Sequence, residues 1–214
     1  MKFSKRLLLG LAGLALASSA MADTLYSQGF DNLSTSGWLL TNNSTPVGQS
    51  WFQGTPENLA AHSGDTSSYV AANFLSATNG TGAISNWLIS PEISFGGNAA
   101  SVSFFASAAP DLGYVDTINV YFSSGSGSST GGFSLIGTLT APIGGWTSFS
   151  FATPAAASGR IAFEYVATFD TGNYAAIDDV SVSAVPEPTS MLMLAAGLAG
   201  IACVRRRQAA REQR

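Results

Sequence analysis

The chain contains few charged side chains and a single cysteine. Lys, Arg, Asp and Glu together make up 10% of its 214 residues, and the formal net charge is −4. A protein that binds nucleic acid needs a basic surface to neutralise phosphates, so this composition excludes an ordinary nucleic-acid partner. The only cysteine, Cys203, lies in an apolar run near the C-terminus. The rest of the chain therefore has no disulfide and no thiol nucleophile.

Basic residues are nearly absent from the middle of the chain. Between residues 23 and 184, Arg160 is the single base against eleven acidic residues, which gives this body a net charge of −10. Residues 1–22 and 185–214 each carry a net charge of +3. The small total charge thus hides an acidic body between two basic ends, and an acidic body disfavours polyanionic partners.

The N-terminal end has the three parts of a secretory signal peptide. Three basic residues precede an apolar run over residues 7–17, and an Ala-x-Ala cleavage site follows. The pattern predicts a signal peptide over residues 1–22 that is cut between Ala22 and Asp23. We therefore expect the body to be exported across the inner membrane.

The C-terminal end is organised differently. A Pro-Glu-Pro sequence precedes an apolar run over residues 189–204, and an arginine cluster follows. The two prolines predict an extended junction, since neither fits inside a helix or a central strand. The apolar run is shorter than the ~20 residues that usually span a bilayer, but the arginines act as a stop-transfer signal. We expect a short transmembrane helix over 189–204 and a cytoplasmic tail over 209–214.

This order of features over residues 185–208 resembles the PEP-CTERM sorting signal of Gram-negative bacteria. The resemblance implies transient anchoring in the inner membrane and processing near the motif by an exosortase, an integral-membrane cysteine protease. Members of the family reach the cell surface or the extracellular matrix, commonly in bacteria that make exopolysaccharide. The sorting residues that the resemblance implies are Pro186, Glu187, Pro188, Arg205, Arg206 and Arg207.

The body, residues 23–184, has the pattern of an all-β domain. Apolar residues alternate with polar or small ones in several short runs, and Gly, Asn and Ser separate the runs. About ten strands at this spacing predict an antiparallel β-sandwich or jelly roll. The predicted strands lie near residues 25–30, 51–53, 69–74, 84–89, 102–106, 118–122, 133–139, 146–151, 161–165 and 177–182.

The body also resembles the choice-of-anchor J and cleaved-adhesin domains, which are related in shape to MAM domains and carbohydrate-binding jelly rolls. The motifs that carry this resemblance include Gly29-Phe30-Asp31-Asn32, Asn86-Trp87-Leu88-Ile89-Ser90-Pro91 and Ala176-Ile177-Asp178-Asp179-Val180. Domains of this kind occur with several surface anchors, PEP-CTERM among them.

The sequence gives little support to catalysis. The body has one histidine, His62, and its neighbours Ser63 and Asp65 are too close in sequence to form a catalytic triad with it. The Gly-x-Ser-x-Gly match at residues 127–131 lies in a Ser/Gly-rich loop rather than at a strand-to-helix turn. We expect a non-enzyme, with a glycan-active hydrolase as a distant alternative.

Calcium is the expected cofactor. Asp178 and Asp179 are neighbours in a predicted strand, so their side chains should leave opposite faces, and a buried carboxylate needs compensation. With one base in the body, a cation with oxygen ligands is the simplest compensator. The resemblance implies a structural calcium between the first and last strands, held by Phe30, Asp31, Asp65, Asp178 and Asp179. The alternatives are a turn-forming Asp31 and a solvated Asp179.

Glycan binding is the second functional hypothesis. Four tryptophans offer faces for sugar stacking, although aromatic side chains more often pack in a core. Trp51 and Trp146 have polar or glycine neighbours and are the expected exposed candidates, whereas Trp87 is expected to pack. The leading interpretation is a calcium-stabilised, non-enzymatic surface or matrix protein associated with exopolysaccharide or biofilm. The alternative is a lectin-like carbohydrate-binding module.

Overall fold

Two six-stranded antiparallel sheets pack face to face in the computed structural model, which describes residues 22–168, 170–185, 197–202, 205–206 and 208–209. The strands are β1 (Thr24–Gln28), β2 (Leu39–Asn42), β3 (Phe52–Gln53), β4 (Val70–Asn73), β5 (Ala83–Ile89), β6 (Ile93–Ser94), β7 (Ala100–Ala108), β8 (Thr117–Ser124), β9 (Ser134–Thr140), β10 (Thr147–Ala152), β11 (Ser158–Thr168) and β12 (Tyr174–Ala184). Short 3₁₀ turns occupy Leu33–Thr35, Phe74–Ser76, Thr78–Gly80 and Thr130–Gly132. The predicted all-β sandwich is confirmed.

The two sheets are built around one long strand each. Sheet A has the order β10-β7-β12-β4-β3, with β1 also paired to β12. Sheet B has the order β2-β5-β11-β8-β9, with β6 also paired to β11. Strands β11 and β12 span 11 residues each and have partners on both sides. On one side, β11 pairs with β8 along its length, and β12 pairs with β7. On the other side, two shorter strands follow each other: β5 and β6 along β11, and β4 and β1 along β12.

The core lies between the sheets and follows the alternation of the strands. Apolar side chains at every second position of β7, β8 and β11 point inward, because successive side chains of a strand leave opposite faces. The largest fully buried side chains include Phe104, Ile118, Ile161 and Phe163. The ring of Trp38 stacks on that of Phe163 with centroids 6.0 Å apart. Burial of this apolar set is the main stabilising contribution to the fold.

Strand β12 contains a bulge where its partner changes. Its N-terminal half pairs with β4 as far as Ile177, and its C-terminal half pairs with β1 from Val180 onward. Pairing with β7 is interrupted at the same place. The bulge shifts the alternation by one residue, so the inward side chains are Ile177 and then Val180. Asp178 and Asp179 lie between them.

The described residues after β12 are helical at 197–202, 205–206 and 208–209. Within the described parts of the chain, no helix is both long enough and apolar enough to cross a membrane. Most of the expected transmembrane run, at 189–196 and 203–204, lies outside the described residues, as does the predicted signal peptide up to residue 21. The transient membrane anchor therefore stays a prediction.

Candidate functional site

The bulge in β12 turns both aspartates toward one loop. Asp179 adopts a left-handed backbone conformation, with φ of +48°. Because the strand is bulged here, the expectation that the two side chains leave opposite faces is wrong. Both carboxylates contact His62 and Ser63, in the connection between β3 and β4.

Asp178 is fully buried and is held by backbone amides alone. Its Oδ2 accepts hydrogen bonds from the amides of His62 at 2.9 Å and Ser63 at 3.2 Å, and its Oδ1 accepts one from the amide of Asp179 at 2.7 Å. Burial raises the pKa of Asp178 to about 6, and the three amide hydrogen bonds oppose that rise. The carboxylate thus fixes the loop to the bulge, and among the described residues it has no cationic partner.

Asp179 binds the side chains of the same two loop residues. Its Oδ2 lies 2.7 Å from Nδ1 of His62, and its Oδ1 accepts a hydrogen bond from the Ser63 hydroxyl at 2.8 Å. The imidazole stacks on the ring of Phe105, with centroids 3.5 Å apart. The hydroxyl of Ser63 is directed to Asp179, so these residues are arranged to hold a loop rather than to activate a nucleophile.

The remaining predicted ligands lie around this loop. Phe30 has a left-handed φ of +51°, and its carbonyl oxygen accepts a hydrogen bond from Gln53 Nε2 at 2.8 Å. Asp31 is exposed, and a Cβ placed on Gly64 would lie 3.1 Å from its Oδ1, so Asp31 borders the loop. Asp65 is exposed and lies at the turn that follows, where its amide donates to Ser68.

The oxygen atoms of these residues suit calcium, but they are not arranged as a coordination shell. Phe30, Asp178 and Asp179 already accept hydrogen bonds from protein donors. Among the described residues, no three His, Cys, Asp or Glu side chains lie close enough together to hold a metal ion. Calcium binding is therefore derived from donor chemistry and stays a prediction.

The two tryptophans expected to be exposed differ in the structure. Trp51 is only 2% exposed, and its Nε1 donates to the carbonyl of Asn86 at 2.9 Å. Its expected exposure is wrong, because the residue enters the core immediately before β3. Trp146 is half-buried, and its Nε1 donates to the carbonyl of Ala60 at 2.9 Å. A glycan contact at Trp146 stays a prediction.

The outward face of sheet B carries a row of side chains that can form hydrogen bonds. One residue from each of five neighbouring strands stands in register across the sheet. We call this set the polar row; it consists of Thr41, Trp87, Glu164, Asn119 and Thr138. At a strand spacing of about 4.8 Å, the row extends for roughly 19 Å.

Glu164 is the centre of the polar row and is 7% exposed. Its Oε1 accepts a hydrogen bond from Ser85 at 2.6 Å, and its Oε2 accepts from Tyr121 at 2.8 Å and Asn119 at 3.2 Å. Burial, together with the hydrogen bond to Glu164 and its charge, raises the pKa of Tyr121 to about 12. No local motif distinguishes Glu164, although its place between Phe163 and Tyr165 marks it as an outward position.

An aromatic cluster borders the polar row. The rings of Trp87 and Tyr121 lie 4.6 Å apart, and Phe133 packs on the other side of Trp87 at 5.9 Å. Trp87 is buried beneath these rings, as expected for a packing residue, while Tyr121 remains partly exposed. Solvent reaches Tyr121 and three members of the polar row, Thr41, Asn119 and Thr138.

Residues 184–207 match the protein-sorting motif described as PEP-CTERM. The chain carries a PEP-CTERM sorting motif. It marks the chain as an exported protein that an exosortase recognises during sorting. The match begins at Ala184, the last residue of β12, so sorting signal and sandwich adjoin directly. Arg205 and Arg206 are helical and exposed, whereas Pro186, Glu187, Pro188 and Arg207 lie outside the described residues.

The sandwich upstream of the PEP-CTERM motif is similar to cleaved adhesin domains of Lys-gingipain from Porphyromonas gingivalis W83. The K3 domain is 20% identical with a TM-score of 0.62, and the match covers 76% of this chain and 98% of that domain. The K1 domain is 21% identical with a TM-score of 0.63, over 77% of this chain and 100% of that domain. At this identity the likeness establishes the fold. No curated protein matches the chain.

Proposed function

We propose that the sandwich is a non-catalytic extracellular domain that holds a neutral polysaccharide against the outward face of sheet B. The observation that carries the proposal is the polar row. Thr41, Asn119 and Thr138 of the row, and Tyr121 beside it on β8, are partly or fully exposed and present hydroxyl and amide groups at the outer surface of the sheet. Sugar hydroxyls pair with such groups, and the ring of Tyr121 offers a stacking surface beside them.

Glu164 acts in this proposal as a positioning residue. Because its carboxylate accepts hydrogen bonds from both Tyr121 and Asn119, it fixes the donors on which a sugar would rest. Pre-organised polar groups lower the entropic cost of binding. The length of the polar row, roughly 19 Å, favours an extended chain over a single sugar unit.

Charge selects the kind of polysaccharide. Arg160, the lone base of the body, uses its guanidinium to donate to the carbonyls of Ser90 at 2.6 Å and Ser126 at 3.1 Å. Its positive charge is thereby engaged by the protein, and the body carries a net charge of −10. Neutral chains suit such a surface, whereas polyanions are repelled.

A pull-down with insoluble neutral polysaccharides tests the proposal on the purified full-length protein. We expect saturable binding that weakens about tenfold in Tyr121→Phe or Glu164→Gln, because each substitution removes a charge-assisted hydrogen bond. Thr138→Val tests an exposed member of the row with little risk to folding. Val47→Ala, at an exposed site away from the row, is the control.

Two outcomes would contradict a polysaccharide site on sheet B. If Trp146→Phe abolishes binding while the sheet B variants bind normally, the glycan site lies on sheet A. If no neutral polysaccharide is retained, glycan binding is refuted. The domain is then a structural component of the cell surface or matrix.

We also propose that the working protein lacks both basic ends. Asp23, the predicted first residue after signal cleavage, already belongs to the sandwich, since its carbonyl accepts a hydrogen bond from the amide of Ala184. The product would thus begin and end next to β1 and β12. Mass spectrometry of the exported protein tests this, and a product that retains Arg205–Arg207 would contradict it.

Calcium stabilisation completes the proposal and is independent of glycan binding. The proposed ligands are the carboxylates of Asp31, Asp65, Asp178 and Asp179 with the carbonyl of Phe30, which border the same loop; a cation would compete with His62 and Ser63 for Asp179. What supports this is the group of acidic residues around one bulge in a body with a single base.

A further inference from the structure

A separate cleft lies at one end of the sandwich, where three connections between strands meet. These are the β4–β5, β7–β8 and β11–β12 connections. The cleft has a volume of about 240 Å³, and its side-chain lining comes from Phe74, Asn79, Thr81, Tyr114, Asp170 and Asn173. It shares no residue with the polar row.

The lining combines aromatic faces with unused polar groups. Phe74 and Tyr114 are 39% and 43% exposed, and both rings line the cleft. The side chains of Asn79, Thr81 and Asp170 form no hydrogen bonds with other described residues of the chain. Aromatic surface and free hydrogen-bonding groups therefore converge on the same small volume, as in ligand sites.

The polar walls of the cleft are fixed by the backbone. Asn79 and Asp170 adopt left-handed φ values of +62° and +50°, which orient both residues without help from glycine. Asn173 is held in place because its amide donates to Asp116 at 2.7 Å and its side chain donates to Asp111 at 2.7 Å. Its side-chain oxygen remains an acceptor.

Glycine also helps to shape the wall. A side chain at Gly172 would collide with the hydroxyl of Tyr165, and one at Gly80 would come within 2.7 Å of the ring of Phe74. Both positions therefore require glycine for this close approach, so the backbone of the cleft wall packs directly on Tyr165 and Phe74.

We propose that this cleft binds one neutral sugar ring, as a free monosaccharide or as the end unit of a glycan. The volume is below the range of drug-sized ligands, which limits the occupant to a small molecule. One face of a sugar ring is apolar enough to lie on Tyr114 or Phe74, and its hydroxyls match Asn79, Thr81 and Asp170. The carboxylate of Asp170 disfavours acidic sugars. This inference does not depend on the polar row.

Saturation-transfer NMR on the purified full-length protein tests the cleft with a panel of free monosaccharides. The panel contains neutral hexoses, N-acetylhexosamines and a uronic acid, each titrated to about 10 mM, the range in which weak single-sugar binding is measurable. We expect saturable binding of at least one neutral sugar and none of the uronic acid.

Matched variants locate the site. Tyr114→Ala should weaken binding about tenfold, because a stacking face is lost. Asn79→Gly removes the amide at a backbone conformation that glycine readily adopts, so it should weaken binding without harming the fold. Leu112→Ala, on the same connection as Tyr114 but outside the lining, is the control and should bind normally.

Three results would overturn the proposal. They are the absence of saturable binding by every neutral sugar, equal binding by Tyr114→Ala and Asn79→Gly, and loss of binding in Tyr121→Phe instead. The last result would assign single sugars to sheet B and leave the cleft without a ligand. A failure here leaves the polysaccharide pull-down unaffected, because the two sites share no side chain.

Discussion

The Nδ1 atom of His62 lies 2.7 Å from Oδ2 of Asp179, although the two residues are 117 positions apart in the chain. The contact joins the β3–β4 connection to the bulge of β12, where the strand passes from one partner to another. A connection of 16 residues, 54–69, is thereby fixed on the outside of sheet A. The single histidine of the chain thus has a structural role that requires no catalysis.

Asp178→Ala should detach this loop. The substitution leaves the amides of His62, Ser63 and Asp179 without their acceptor, and we expect the free energy of unfolding to fall by about 2 kcal/mol. Chemical denaturation measures the change, and limited proteolysis should show faster cleavage within residues 60–66. Asp65→Ala, at an exposed neighbouring carboxylate, should stay within about 0.5 kcal/mol of the parent protein. Equal effects of the two substitutions would contradict the role of Asp178.

Calcium should raise the melting temperature of the full-length protein if the predicted site binds it. A ligand that binds only the folded state stabilises it in proportion to the logarithm of its concentration over the dissociation constant. Asp179→Asn should abolish the rise, because it removes the charge while asparagine still tolerates the left-handed φ. Glu57→Gln, at an exposed position, is the control. An unchanged melting temperature with chelator, and no co-purified metal, would refute calcium stabilisation.

Tyr121 should ionise late when the protein is titrated with base. The pKa of Tyr121 is raised from its ordinary value of 10.0 to about 12 in the folded protein. The folded state holds this proton more tightly than the unfolded state, so stability is present below pH 10 and is lost as pH rises toward 12. Ultraviolet absorbance of tyrosinate measures the ionisation, and the difference between the parent protein and Tyr121→Phe isolates Tyr121, because the pKa values of Tyr26, Tyr69 and Tyr165 are raised as well. Glu164→Gln should lower the pKa of Tyr121, because it removes the charge next to the hydroxyl.

Trp51→Phe should destabilise the protein without any direct effect on sugar binding. The indole is buried and donates to the carbonyl of Asn86, so we expect a loss of about 2 kcal/mol from the smaller ring and the missing hydrogen bond. Urea denaturation of Trp51→Phe and Trp146→Phe compares a buried with a half-buried indole. A larger loss at Trp146 would contradict the burial that separates the two residues.

Strand patterns explain why so much of the fold is readable from the sequence. The alternations at 102–106, 118–122 and 161–165 are those of inward-facing positions in β7, β8 and β11. Two strands escaped prediction for local reasons. Strand β2 reads Leu-Leu-Thr-Asn, which does not alternate, and β6 has only two residues. Short edge pieces are defined by their neighbours rather than by their own pattern.

The candidate sites were less predictable, because they depend on irregular backbone. Regular strand geometry sends Asp178 and Asp179 to opposite faces, and only the left-handed φ at Asp179 brings both to His62 and Ser63. The expected exposure of Trp51 is wrong because it was based on polar neighbours in the sequence. The burial of Trp51 depends instead on a distant part of the chain, since its indole donates to Asn86, 35 positions away. Glu164 became notable only through cross-strand partners that no local pattern contains.

Strand β12 also determines how the domain would respond to tension. Its last residue adjoins the sorting motif, and the strand is paired to β7 on one side and to β4 and then β1 on the other. A load applied at the C-terminal end of β12 is therefore shared among hydrogen bonds to three neighbouring strands of sheet A.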